Sequence, residues 1–231
     1  MMKRLIPLAF AALASLVTPA AAQSPVVVEL FTSQGCSSCP PADKLMHELA
    51  KRDDVIALAL HVDYWDYIGW KDEFADPAYA KRQRAYAVAA GRRSVYTPQM
   101  IINGETDIVG ARPMELSRVI SDYAAKTTPV TLAITKSGDR VSILAQSATP
   151  SGPLVVQMVR YTPERTARIT RGENAGHTLT YANVTEGWKI LQQWDGVTDL
   201  AIEADAPGDK PLVVMVQKGV DGPILAAAQI R

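Results

Sequence analysis

Two periods of apolar spacing divide the chain. From Val26 the run VVVELF, interrupted only by Glu29, is short and β-branched and predicts a buried strand. The spacing then changes. Ala42, Leu45, Met46 and Leu49 recur three and four residues apart, with Lys44, His47 and Glu48 on the other side, and predict an amphipathic helix ending near Arg52. VIALALHVD predicts a second buried strand, and a helix-length link between two such strands implies a right-handed βαβ unit with parallel strands. A polar, alanine-rich stretch from Asp76 to Ala90 predicts a second helix that Gly91 stops. TPQMIING then supplies a strand and a turn, TDIVG a partner strand, and PMELSRVISDYAA a closing helix with Pro113 at its start.

Beyond Thr127 the period falls to two. Val130, Leu132 and Ile134 alternate with Thr131, Ala133 and Thr135 before KSGD turns the chain toward Val141 and Ile143. Short segments of the same kind recur at PLVVQMVRY, HTLTYANV, PLVVMVQK and PILAAAQI, each bounded by Gly, Pro, Asp or Asn. The expected organisation is a domain over residues 23–127 with the order β-α-β-α-β-β-α, which is the thioredoxin order and implies a mixed sheet. A mainly antiparallel, sandwich-like β domain is expected over 128–231. The link AAKTTP is short, so the two halves should pack together.

Residues 1–22 read differently. Lys3 and Arg4, the apolar run Leu5 to Val17 and the small residues Ala20 to Ala22 predict a signal peptide cut after Ala22, and hence a periplasmic or secreted protein. Its removal would take two of the 24 basic residues and none of the 24 acidic ones, leaving a formal charge of −2. That balance excludes a nucleic-acid partner, since no basic stripe exists and Arg92 and Arg93 are an isolated pair. No later apolar run is long enough to span a membrane. The sequence is silent on oligomeric state. Export would place the thiols where a disulfide persists.

The chemistry gathers at TSQGCSSCPPAD, which holds both cysteines of the chain, Cys36 and Cys39. A C-x-x-C pair after a strand and before a helix suits disulfide exchange, because one thiolate attacks and its neighbour resolves the mixed disulfide. The helix start favours a thiolate, and in such motifs the thiol pKa falls from about 8.5 to roughly 3.5–7.5. Cys36 is expected to be the nucleophile, projecting from the loop, and Cys39 the more buried resolving thiol. Pro40 and Pro41 confine regular helix to Cys39 or Pro40 onward, leaving Cys36 in the turn before it. Two other uses of the pair remain open. A closed zinc site needs four ligands, which His47 and His61 would have to complete, and a copper-holding pair needs fewer. A purely structural disulfide would close a very small loop and restrict the unfolded chain little. The reading adopted has no metal and no organic cofactor.

Three further features surround the pair. Thr97-Pro98 precedes a strand expected beside the first one, and likeness to thioredoxin-like folds implies a cis proline that stands against the disulfide, with Thr97 offering backbone hydrogen bonds to an extended substrate; an ordinary trans proline opening a strand is the other reading. Glu29, the acidic residue of an apolar strand, reads equally as a proton acceptor for Cys39 or as the partner of a base. HVDYWDYIGWKDEF concentrates five of the fifteen aromatics, Trp65 among them, at the rim shared with the cysteines, either to dock a polypeptide or to bury the side of the domain.

Together VVVELFTSQGCSSCPPAD, HVDYWDYIGWKDEFADP, RQRAYA, VYTPQMIING and RGENAGHTLTYANV resemble the secreted bacterial family of domain of unknown function 1223. That resemblance implies a thioredoxin-like domain, with Cys36, Cys39 and Pro98 at the positions of the redox motif and cis-proline of the wider superfamily. Glu29 lies one residue further from the first cysteine than the buried acid of that superfamily. The expected function is thiol-disulfide exchange on a protein or small-thiol substrate; the rival is a binding module that uses the pair as a redox or copper sensor.

Overall fold

The computed structural model describes residues 24–149 and 152–231, so the expected signal peptide lies outside the described residues. β1 (Val26–Thr32) leads through the cysteine turn into α1 (Pro40–Leu49), and the chain returns in β2 (Val55–His61), parallel to β1 from Val26↔Val55 to Thr32↔His61. A single 3₁₀ turn (Asp66–Ile68) precedes α2 (Pro77–Ala89), which Asp76 caps by accepting from the backbone N–H of Ala78 at 2.8 Å. β3 (Gln99–Ile102) then runs antiparallel to β1, β4 (Thr106–Val109) antiparallel to β3, and α3 (Pro113–Ala124) closes this half. The first-half elements match the expected order.

The remaining strands are β5 (Val130–Ser137), β6 (Arg140–Ser147), β7 (Leu154–Arg168), β8 (Thr178–Trp194), β9 (Leu200–Asp205), β10 (Leu212–Lys218) and β11 (Ile224–Ile230). Four of them extend the first-half sheet. β8 meets β2 in parallel at Ala59↔Val184, giving one eight-stranded mixed sheet in the order β11-β10-β7-β8-β2-β1-β3-β4. Thr185 and Asn183 fasten that junction by donating to the carbonyls of Ala59 and Ala57 at 2.8 and 2.9 Å. β5, β6 and β9 form a second, antiparallel sheet of three strands. It packs on the second-half strands of the large sheet through Val141, Ile143, Val156, Met158, Val214 and Trp194. Residue 127 thus falls just after α3, while strands from both sides of it share one sheet.

Side-chain parity along β1 and β2 decides what the site contains. Every position of both strands is buried, because elements cover both faces of this part of the sheet. Val26, Val28 and Leu30, with Val55 and Ala57, meet α1 and α3 at Met46, Leu49, Leu116 and Ile120. Val27 and Phe31, with Ile56, Leu58 and Leu60, meet α2 at Tyr79, Ala80 and Tyr86. By the period of two, Thr32 and His61 belong to the α1 face and Glu29 to the α2 face. Among the described residues no helix is long and apolar enough to cross a membrane.

Candidate functional site

Cys36 and Cys39 are disulfide-bonded, with their Cα atoms 5.4 Å apart. Cys39 is the N-cap of α1, with Pro40 and Pro41 opening its first turn, and Cys36 sits in the turn before it, as the two prolines require. The backbone closes this turn tightly. Cys36 N–H donates to the Ser33 carbonyl at 3.1 Å and Cys39 N–H to the Cys36 carbonyl at 3.2 Å, while the Ser38 hydroxyl lies 3.4 Å from Cys36 Sγ.

The expected projection of Cys36 is corrected by the structure: Cys36 is 1% exposed and Cys39 0%. Two distant segments supply the cover. The aromatic segment after β2 brings Ile68 and Trp65 close against Gly35, where a side-chain carbon would stand 3.1 Å from each and the neighbours would have to give by a few tenths of an ångström. From the β7–β8 loop, the Asn174 carboxamide donates to the carbonyls of Gln34 and Cys36 at 2.9 and 3.0 Å, and the Glu173 carboxylate accepts from the Ser37 hydroxyl and N–H at 2.7 and 3.2 Å.

Thr97-Pro98 is a cis peptide and lies one step beyond Gln99, which pairs with Phe31, so the register sets Pro98 beside Thr32 at the strand end that carries the cysteines. The Trp65 indole donates to Thr97 Oγ1 at 2.7 Å. Cys36, Cys39, Trp65, Thr97 and Pro98 therefore share one end of the sheet. Trp65 is half-buried and stacks on Tyr67, which is 81% exposed.

Glu29 is not brought to the cysteines. It faces α2, where Arg82 Nε donates to one carboxylate oxygen at 2.7 Å and the Tyr86 hydroxyl to the other at 2.6 Å. Its one-residue offset explains this, since a shift of one position along a strand moves a side chain to the opposite face.

The carboxyl on the cysteine side is Asp43, four residues after Cys39 and one turn along the same helix face. Burial pushes its pKa up to about 7, against the opposing pull of His61 and of the Thr32 hydroxyl, which donates to Oδ1 at 2.7 Å. Close by, His61 Nδ1 and Asp72 Oδ2 are 2.7 Å apart, and the same oxygen accepts from Gln34 N–H at 2.8 Å. Burial alone would raise Asp72, but His61 and the Gln34 and Phe74 N–H groups hold it below the usual carboxylate range. The Tyr181 ring packs edge-on to His61 at 4.7 Å, and burial pushes its phenol pKa up. Gln34 Nε2, Asp43 Oδ2, His61 Nε2 and Tyr181 OH are buried with no protein partner, four of five such atoms among the described residues. Unsatisfied valence of this kind is costly, and it is concentrated in the His61–Asp72–Asp43 cluster that Gln34 joins to the cysteine turn. The sequence pattern offers His61 only as a residue that a closed zinc site would have to recruit, and no motif marks Asp43, Asp72, Asn174 or Tyr181. A buried-facing acid in the first turn of α1 was the one available signal.

Among the described residues no group of three or more His, Cys, Asp or Glu is arranged to hold a metal.

No curated protein matches the chain. A crystal structure of protein AGR_C_4864 from Agrobacterium tumefaciens is similar over 89% of this chain and 93% of its own, with 30% identity and a TM-score of 0.76. HBP35 of Porphyromonas gingivalis shares the fold, with 17% identity and a TM-score of 0.62 over 90% of this chain and 75% of that one. A family model described as "Protein of unknown function (DUF1223)" matches residues 27–217, a span that contains the cysteine turn, Thr97-Pro98 and the β7–β8 loop. The chain belongs to that family, DUF1223.

Proposed function

We propose that this protein is an exported thiol-disulfide oxidoreductase built on a thioredoxin-like half, residues 23–127, with the β-rich half, 128–231, packed against it. One observation carries the reading: a C-x-x-C disulfide at the junction of a central strand and a helix N-terminus, with Thr97-Pro98 beside it and a partly unsatisfied polar cluster joined to the cysteine turn by Gln34.

In the reduced protein the Cys36 thiolate attacks a substrate disulfide, forming a Cys36–substrate bond and expelling one substrate thiolate. Cys39 passes its proton to Asp43 and attacks Cys36 Sγ, which re-forms the protein disulfide and expels the second thiolate. Two electrons move from the cysteines to the substrate, and the expelled thiolates take up protons. Run backwards, the same steps oxidise a substrate dithiol. Asp43 suits its role because its pKa of about 7 lets it hold or release a proton near neutrality. Glu29, with both oxygens occupied on the other face, does not. Thr97 and Trp65 line the approach, and no organic cofactor enters.

Both sulfurs lie under cover, so exchange starts from an opened state. The same burial favours one alternative, a redox- or copper-responsive binding module that never turns over substrate. Cys39→Ser separates the two. An exchanging enzyme accumulates a mixed disulfide at Cys36 with a polypeptide disulfide, and its reduced Cys36 titrates well below about 8.5 by thiolate absorbance. A normal thiol that traps nothing and binds Cu(I) tightly would leave only the module.

A further inference from the structure

The β7–β8 loop, RGENAG, comes from the half that contributes no sulfur, yet it is bonded to the backbone of the cysteine turn at Gln34, Cys36 and Ser37. Ile169 and His177 pin its base, with Ile169 N–H donating to the His177 carbonyl and Gly176 N–H to the Ile169 carbonyl, each at 2.9 Å. Gly172 and Gly176 reverse the chain at φ of 76° and 87°. A side-chain carbon at Gly172 would stand 3.3 Å from Trp70 Cβ, whereas one at Gly176 would meet nothing within 4 Å. The Gly172 end of the loop therefore rests on the aromatic segment, whereas the Gly176 end is held by the loop's own base and packs against nothing.

The two covers are held differently. The aromatic segment is fixed by buried groups: Asp72 grips His61 and the Gln34 N–H, and Trp70 donates to Gln34 Oε1 at 2.8 Å. The loop's polar hold on the cysteine turn consists of Asn174 on two carbonyls and an exposed Glu173–Ser37 contact. Both Asn174 bonds are buried too, but they come from one neutral amide, whereas a carboxylate anchors the aromatic segment, so the loop is the weaker cover. Its latch also has a definite chemistry, since the Asn174 amide hydrogens go to the carbonyls of Gln34 and Cys36, where an extended polypeptide lying along the cysteine turn would offer its own backbone N–H groups.

We propose that the β7–β8 loop is a specificity-determining cover, with Asn174 and Glu173 as its latch, that opens to admit an extended polypeptide whose backbone takes over the carbonyls of Gln34 and Cys36. This rests on the exchange reading above and adds no covalent step to it. Asn174 and Glu173 are positioning residues: they decide what reaches Cys36 without touching sulfur chemistry.

The test is the reduction rate of the oxidised full chain, followed by alkylation and intact mass, with two probes: dithiothreitol and a linear synthetic peptide bearing a reduced cysteine pair. Asn174→Ala should raise the peptide rate about tenfold or more, because two hydrogen bonds of the closed state are lost. Glu173→Ala, which alters an exposed side chain and leaves the fold intact, should raise it a few-fold. Dithiothreitol, the smaller probe, should gain less in both. An unchanged peptide rate in Glu173→Ala and Asn174→Ala overturns the cover, as does an equal gain for both probes accompanied by a loosened fold in thermal unfolding. The two proposals fail separately. Faster reduction in the variants without turnover of a peptide disulfide sinks the exchange reading and keeps the cover; unchanged kinetics in a protein that does turn over sinks the cover alone.

Discussion

Two buried carboxylates lie on opposite faces of the same sheet and are treated in opposite ways. Glu29 is fully partnered: Arg82 and Tyr86 occupy both oxygens, Gln217 Nε2 donates to the Tyr86 hydroxyl at 3.0 Å, Gln157 donates to Gln217 at 2.7 Å, and Trp188 to Gln157 at 2.8 Å. The Arg82 guanidinium lies 4.2 Å from the Trp188 ring. This chain runs from β1 through α2 to β10, β7 and β8, so it ties the two halves together. Asp43 has one partner and one bare oxygen, set among His61, Asp72 and Tyr181. A satisfied network rigidifies a seam; an unsatisfied one keeps a proton exchangeable. A depression of about 210 Å³ between α1 and β8, lined by Asp43, His47 and Thr180, lies beside the second, although the bare Asp43 oxygen itself is buried.

The comparison breaks most visibly at the seam. Arg82→Ala leaves the fully buried Glu29 charge unpaired and should cost about 3–5 kcal/mol, read from denaturant midpoints; a loss under about 1 kcal/mol would show the seam to be idle. Next comes Asp43. Its carboxyl titrates near 3.8 unfolded and about 7 folded, so the folded state binds the proton more tightly and wild-type stability should fall as pH rises through that window. Asp43→Asn should flatten the fall, worth a few kcal/mol at most, and parallel pH profiles for the two proteins would refute the assignment. Thr32→Val removes the hydroxyl that holds Asp43 down, so the Asp43 pKa should rise further by NMR titration at a stability cost of about 1–2 kcal/mol. The smallest effect is expected for Trp65→Phe, which loses the indole bond to Thr97 and trims the ring that stacks on Tyr67, about 1 kcal/mol, with stability at the Arg82–Glu29 seam untouched.

Much of the first half was legible because β1 and β2, buried on both faces, are short continuous apolar runs, while α1 and α3 bury one face and carry a helical period. The second half was less so. β9, LAIEAD, buries only Leu200 and then alternates exposed and half-buried positions, so its short run gave no signal. β7 runs through Pro163 because β10 pairs with it only from Leu154 to Arg160, and beyond that its far edge has no neighbour to miss an N–H. At the site, the cysteines and Thr97-Pro98 were readable from local motifs. The role of Glu29 turned on strand parity, a single residue that composition cannot register. The cover over Cys36 was invisible for another reason: Asn174 lies 138 residues away in sequence, and no local pattern encodes a contact made by a loop of another half.

The central claim is that Cys36 and Cys39 form a working couple rather than a sealed link. The redox equilibrium of the folded chain with glutathione tests it most directly. Reversible exchange with a midpoint between about −270 and −120 mV is the predicted result, whereas a midpoint below about −300 mV, or reduction only on unfolding, would contradict it.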